Sequence, residues 1–75
     1  MNKIRRMELK KGKELLDEVY DIIDNVKTDE ENAFDNLPDG LQQTERGEKM
    51  EDNIDYLDDV LDHIQNALDI LNNVG

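Results

Sequence analysis

Cysteine is absent from these 75 residues, and histidine occurs once. The first absence excludes a disulfide framework and a thiolate metal centre. The second leaves too few imidazoles for a histidine-based zinc site. No apolar run approaches the roughly 18 residues that span a bilayer. The basic start, Met1 to Glu8, is followed by no apolar stretch of the kind a secretory signal carries. These absences point to a cytoplasmic protein with no membrane partner. They also remove the usual staples of a small fold. A chain this short buries a modest fraction of its surface, so oligomerisation is the expected remedy.

Positive charge is scarce beyond the first thirteen residues. There, Lys3, Arg5, Arg6, Lys10, Lys11 and Lys13 face only Glu8, for a local net of +5; residues 14–75 carry three cations against nineteen acids, a net of −16. Phosphate backbones repel such a body, so no direct nucleic-acid partner is expected. A basic protein surface would attract it.

The last third of the chain carries the clearest pattern. Three heptads begin at Ile54, Leu61 and Leu68 (position a), with Leu57, Ile64 and Leu71 at position d and Met50 extending the d row. This 3–4 alternation is the seam of a coiled coil. Position g is apolar too, at Val60, Ala67 and Val74, which widens the stripe to that of a bundle helix touching two neighbours. The first half reads similarly: Leu16, Ile23 and Leu37 at a, Val19, Val26 and Ala33 at d, Leu15 and Ile22 at g. Asp29, Glu30 and Gly12 interrupt it. A mid-helix glycine costs about 1 kcal/mol, so fraying is expected upstream of Gly12.

Pro38-Asp39-Gly40 separates the two patterns and is turn chemistry. The expected fold is all-α: an antiparallel two-helix hairpin, with helices over about 3–36 and 44–73 and a turn over 37–43. Thr44 is the expected N-cap of the second helix. Reversal near residues 40–42 pairs Ala33 with Met50, Val26 with Leu57, Ile23 with Leu61, Val19 with Ile64 and Leu16 with Leu68. Glu30 then falls awkwardly near Asn53-Ile54. Gly47 falls on the seam, where it is expected to make room for Phe34.

If the a and d rows cover each other, the g rows remain exposed. Leu15, Ile22, Val60, Ala67 and Val74 are therefore the expected oligomer interface. A twofold homodimer forming a four-helix bundle would bury them.

Other constellations have plainer readings. Asp55, Asp58, Asp59 and Asp62 share one side of the second helix, a spacing that can hold a hard cation. Bundle carboxylates that bind metals project inward, however, and these project out. They read as a solvated acidic face or as a face that binds a basic partner, in the manner of a nucleic-acid mimic. His63 sits at an outward c position without a nucleophile to serve. No glycine-rich phosphate loop is present. The sequence thus offers no catalytic set, no cofactor site and no metal site. The basic N-terminus is expected to lie beside the C-terminal end of the second helix, where cations suit the helix dipole and Asp69; a mobile arm is the other reading.

The stretch Glu31-Asn-Ala-Phe-Asp-Asn-Leu-Pro38, followed by Leu41-Gln-Gln-Thr-Glu-Arg-Gly-Glu-Lys-Met50 and the heptads, resembles short acidic helical-hairpin proteins encoded by phages and prophages of Gram-positive bacteria. The resemblance covers residues 28–75 and is most distinctive at the turn. It carries no activity that transfers to particular residues. It implies a bacterial cytoplasm, a mobile-element context and a small accessory role such as inhibition of a host protein.

Overall fold

The computed structural model describes residues 1–75 and is an all-α helical hairpin. Helix α1 spans Lys3–Asp35, a single turn α2 spans Asp39–Gln42, and α3 spans Glu45–Leu71. The two long helices pack antiparallel into a rod of 59 × 15 × 12 Å. Neither is long and apolar enough to cross a membrane.

Each break in the chain has a local cause. The Asn2 side chain accepts a hydrogen bond from the Arg5 backbone N–H at 2.8 Å and starts α1, satisfying an otherwise orphan donor. From there α1 runs unbroken through Gly12. Pro38 disfavours helical geometry at Leu37 and ends it. A side chain reinforces that end: Gln42 Nε2 donates to the oxygens of Phe34 at 3.3 Å and Leu37 at 3.2 Å. The turn is therefore more ordered than a loop. Backbone bonds from Leu41 and Gln42 to the Pro38 oxygen close α2.

Thr44 occupies the N-cap position of α3 with extended backbone, but its hydroxyl does not cap. It donates instead to the Leu41 oxygen at 2.5 Å, while its own carbonyl accepts from Glu48 N–H at 2.9 Å. Thr44 thus joins α2 to α3. Gly47 is buried for a reason other than the one expected from sequence. A Cβ there would meet the backbone of Gln42, 2.6 Å from its carbonyl carbon and 2.8 Å from its Cα. The glycine makes room for the α2 backbone, not for Phe34, and lets the hairpin fold tightly on itself.

The α3 seam is the expected one, with Met50, Ile54, Leu57, Leu61, Ile64, Leu68 and Leu71 all buried or half-buried. The α1 seam differs. Leu9, Leu16, Ile23 and Leu37 face α3, but Lys13, Tyr20, Lys27 and Phe34 alternate with them in place of Val19, Val26 and Ala33, which are exposed. The predicted pairs Ala33–Met50, Val26–Leu57 and Val19–Ile64 are therefore not the seam contacts. The reason is size: Tyr20 and Phe34 cover more apolar area than Val19 and Ala33 could. Turning α1 this way also brings Lys27 to Asp58 as an ion pair. It resolves the Glu30 misfit as well, since Asn53 Nδ2 donates to Glu30 Oε2 at 3.2 Å.

Candidate interaction face

Few apolar groups are removed from water by the hairpin alone. Only Leu61 and Leu68, at 5% and 9% exposure, are buried apolar side chains. The accessible surface is 5901 Å² for a mass of 8.7 kDa, whereas a compact monomer of that mass exposes roughly 4,700 Å². The excess, on the order of 1,200 Å², exceeds the about 800 Å² that each partner contributes to a standard interface.

Between residues 15 and 70, most of the exposed large apolar side chains gather on one side of the rod. With Lys13, Tyr20, Lys27 and Phe34 in the seam, the neighbouring row of α1 is Gly12, Val19, Val26 and Ala33, and next to it stand Leu15 and Ile22. Leu15, Val19, Ile22 and Val26 repeat at four, three and four residues and form a second heptad-like stripe. All four are exposed, Ile22 at 60% and Val26 at 51%. On α3, Tyr56, Val60, His63, Ala67 and Ile70 repeat in the same way. Tyr56 is 69% and Ile70 66% exposed, while Ala67 is half-buried.

In an antiparallel pair the rows preceding position a on both helices flank the same side of the seam. An open, mostly apolar groove there is lined by Leu16 of α1 with Tyr56, Asp59, Val60, His63, Ile64 and Ala67 of α3. The two stripes therefore belong to one broad face. Of the expected interface, Leu15, Ile22, Val60 and Ala67 lie on it; Val74 does not, because α3 ends at Leu71 and the chain beyond turns Val74 toward Arg6, Leu9, Lys10 and Lys13 at the open end. Sequence reasoning missed Val19, Val26, Tyr56 and Ile70, which the structure adds. Their signal was the second 3–4 repeat within each helix, offset from the seam.

The opposite side is acidic. Asp17, Asp24 and Glu31 follow the α1 seam, and Glu51 and Asp58 follow that of α3. A depression near the closed end brings Glu31 and Asp35 together with Glu51 and Asp55. The four aspartates grouped in the sequence are not equivalent. Asp55 and Asp62 are exposed, Asp59 is exposed at the edge of the apolar groove, and Asp58 turns toward α1 and pairs with Lys27. No three acidic or histidine side chains converge closely enough to hold a cation.

Lys27 has the perturbed titration of this seam. Its hydrogen bond to Asp58 raises the ammonium pKa above the ordinary 10.5; desolvation opposes the rise, and the fields of Asp58, Glu31 and Asp24 add to it. Glu31 approaches Lys27 at 3.9 Å. His63 is exposed and borders the apolar groove, with no hydrogen-bond or ion-pair partner. At the open end of the rod, Arg6, Leu9, Lys10 and Lys13 surround Val74 and Gly75. Residues 3–13 are helical and lie beside the end of α3, as the dipole argument requires, but no ion pair to Asp69 forms.

The chain matches no protein-family model, no curated protein and no solved structure.

Proposed function

We propose that this protein is a non-catalytic assembly and interaction module that acts through its apolar face as a homodimeric four-helix bundle. The observation that carries the reading is the second apolar stripe on each helix, placed on one side of a rod whose own seam buries only two apolar side chains. Covering a large aliphatic side chain is worth roughly 1.5–3 kcal/mol, so exposed Leu15, Val19, Ile22, Val26, Val60 and Ile70 supply ample driving force. An acidic outer surface keeps such an assembly soluble. The resemblance at the turn adds a phage or prophage context and a cytoplasmic site of action.

Sedimentation over a range of concentrations tests the reading. The native chain is expected to sediment as a dimer, and Ile22→Glu combined with Val60→Glu as a helical monomer. A native chain that stays monomeric and well folded at high concentration would overturn it.

A second reading makes the protein an acidic inhibitor or nucleic-acid mimic that occupies a basic groove on a DNA- or RNA-handling protein. It is supported by the gathering of Glu31, Asp35, Glu51 and Asp55 from both helices near the closed end. Changing Asp55, Asp58, Asp59 and Asp62 to Asn and Lys tests it, because a captured partner that survives the change does not depend on these carboxylates.

A further inference from the structure

We infer that the occupant of the apolar face is a second copy of this chain lying antiparallel, with its turn beside the first copy's termini and α1 packed on its own copy. The inference rests on the assembly reading above and specifies its geometry.

A twofold axis between two stacked hairpins allows two arrangements. If the axis runs along the rod, both turns lie at the same end and α1 covers the partner's α3. If it runs across the rod, the turns lie at opposite ends, α1 covers α1 and α3 covers α3. In either case one broad side of a 59 × 15 Å rod is covered, on the order of 900 Å², which meets the standard contribution of about 800 Å² per partner.

The α1 stripe reads the same from both ends, and this decides between the two. Its outward positions are Gly12, Leu15, Val19, Ile22, Val26 and Asp29. They are symmetric about a midpoint between Tyr20 and Asp21. An antiparallel copy therefore sets Val19 against Ile22, Leu15 against Val26 and Gly12 against Asp29. The two interruptions of the stripe fall opposite one another. Nothing lies within 4 Å of where a Gly12 side chain would stand, so the space is open for the partner's Asp29. Lys11 flanks that space.

Charge favours the same choice. The first thirteen residues carry +5, while the far end of α1 holds Asp29, Glu30, Glu31 and Asp35. The crosswise axis places these ends together, and the lengthwise axis places like ends together, which costs repulsion. The midpoint of the stripe also lies near the middle of α1, so a crosswise axis overlaps the two rods along their full length.

The chain has no cysteine of its own, so cross-linking is unambiguous. Gly12→Cys, Asp29→Cys and Ile70→Cys chains are prepared singly and mixed pairwise under mild oxidation, with sedimentation in parallel. Gly12→Cys with Asp29→Cys is expected to give a covalent heterodimer. Gly12→Cys alone is expected to give none, because its two copies lie about 25 Å apart along the helix axis at 1.5 Å per residue, beyond disulfide reach. Cross-linking of Gly12→Cys with Ile70→Cys instead, or dimers with no Gly12–Asp29 link, would overturn the antiparallel arrangement while leaving the dimer intact. A monomer in sedimentation with no links would overturn the assembly reading itself.

Discussion

Gly47→Ala tests whether the closed end of the hairpin depends on a backbone contact. An added Cβ would lie 2.6 Å from the Gln42 carbonyl carbon and closer still to its oxygen, where ordinary contact begins at 3.4 Å, so the two segments must part by more than about 0.8 Å. Both sides are backbone, and no side chain can swing away. Parting α2 from α3 also draws Gln42 off the Phe34 and Leu37 oxygens, two hydrogen bonds worth about 1 kcal/mol each. Distortion of the packed turn adds roughly 1–2 kcal/mol, against a gain of about 1 kcal/mol from alanine's helix propensity. The net is a loss of about 2–3 kcal/mol, which for a domain of this size lowers Tm by roughly 8–24 °C. Thermal melting followed by far-UV circular dichroism at fixed protein concentration measures it. A Gly47→Ala protein that melts at or above the native temperature would refute the close approach of α2 to α3.

Gly12→Ala is the matched opposite: its site is an unobstructed helix interior, so the same melt should rise by about 1 kcal/mol in stability, provided the measurement is made at concentrations where the chain is monomeric. Leu61→Ala removes one of two buried side chains and should cost roughly 2–4 kcal/mol in chemical denaturation; a cost below that of an exposed residue such as Tyr56 would show that the seam is elsewhere. Raising the pH tests the Lys27–Asp58 pair. Lys27 has a folded pKa above 10.5, so its contribution is fully present below the unfolded value and is lost as pH climbs through the folded one. Native protein should therefore lose stability relative to Lys27→Met in that alkaline window, and parallel curves would remove the pair as a contributor. With a net charge of −11, added salt should raise Tm by screening self-repulsion; a Tm that falls with salt would mean that attraction dominates the electrostatics.

The fold was legible because helix period, turn chemistry and apolar pattern agreed with one another. The α3 seam was readable position by position, since every a and d residue is a large aliphatic group. The α1 seam was not. Two stripes share that helix, and aliphatic residues alone choose Leu16, Val19, Ile23 and Val26. The true seam passes through Tyr20, Lys27, Glu30 and Phe34, two of which are charged. Lys27 sits there by laying its alkyl stem along the seam with its head on Asp58, and Glu30 by its bond to Asn53. Such cross-helix pairs are invisible until the register is known. The face was half legible for the same reason: the g rows identified its centre, and the rotation of α1 decided that Val19 and Val26 belong to it. Gly47 is legible as a close-packed position, but its neighbour is the backbone of Gln42, and the helical turn that brings Gln42 there has no signature in the sequence.

The two tyrosines stand at different boundaries of this molecule. Tyr20 is half-buried between α1 and α3, and Tyr56 is open on the apolar face; there is no tryptophan to mask either. The protein thus carries two intrinsic optical reporters. Emission from Tyr20 follows the opening of the hairpin. Emission from Tyr56 follows whatever covers the face, and in a phenylalanine exchange at residue 20 it can be followed alone. Dilution should change the second signal before the first, so folding and docking can be timed separately without attaching a dye.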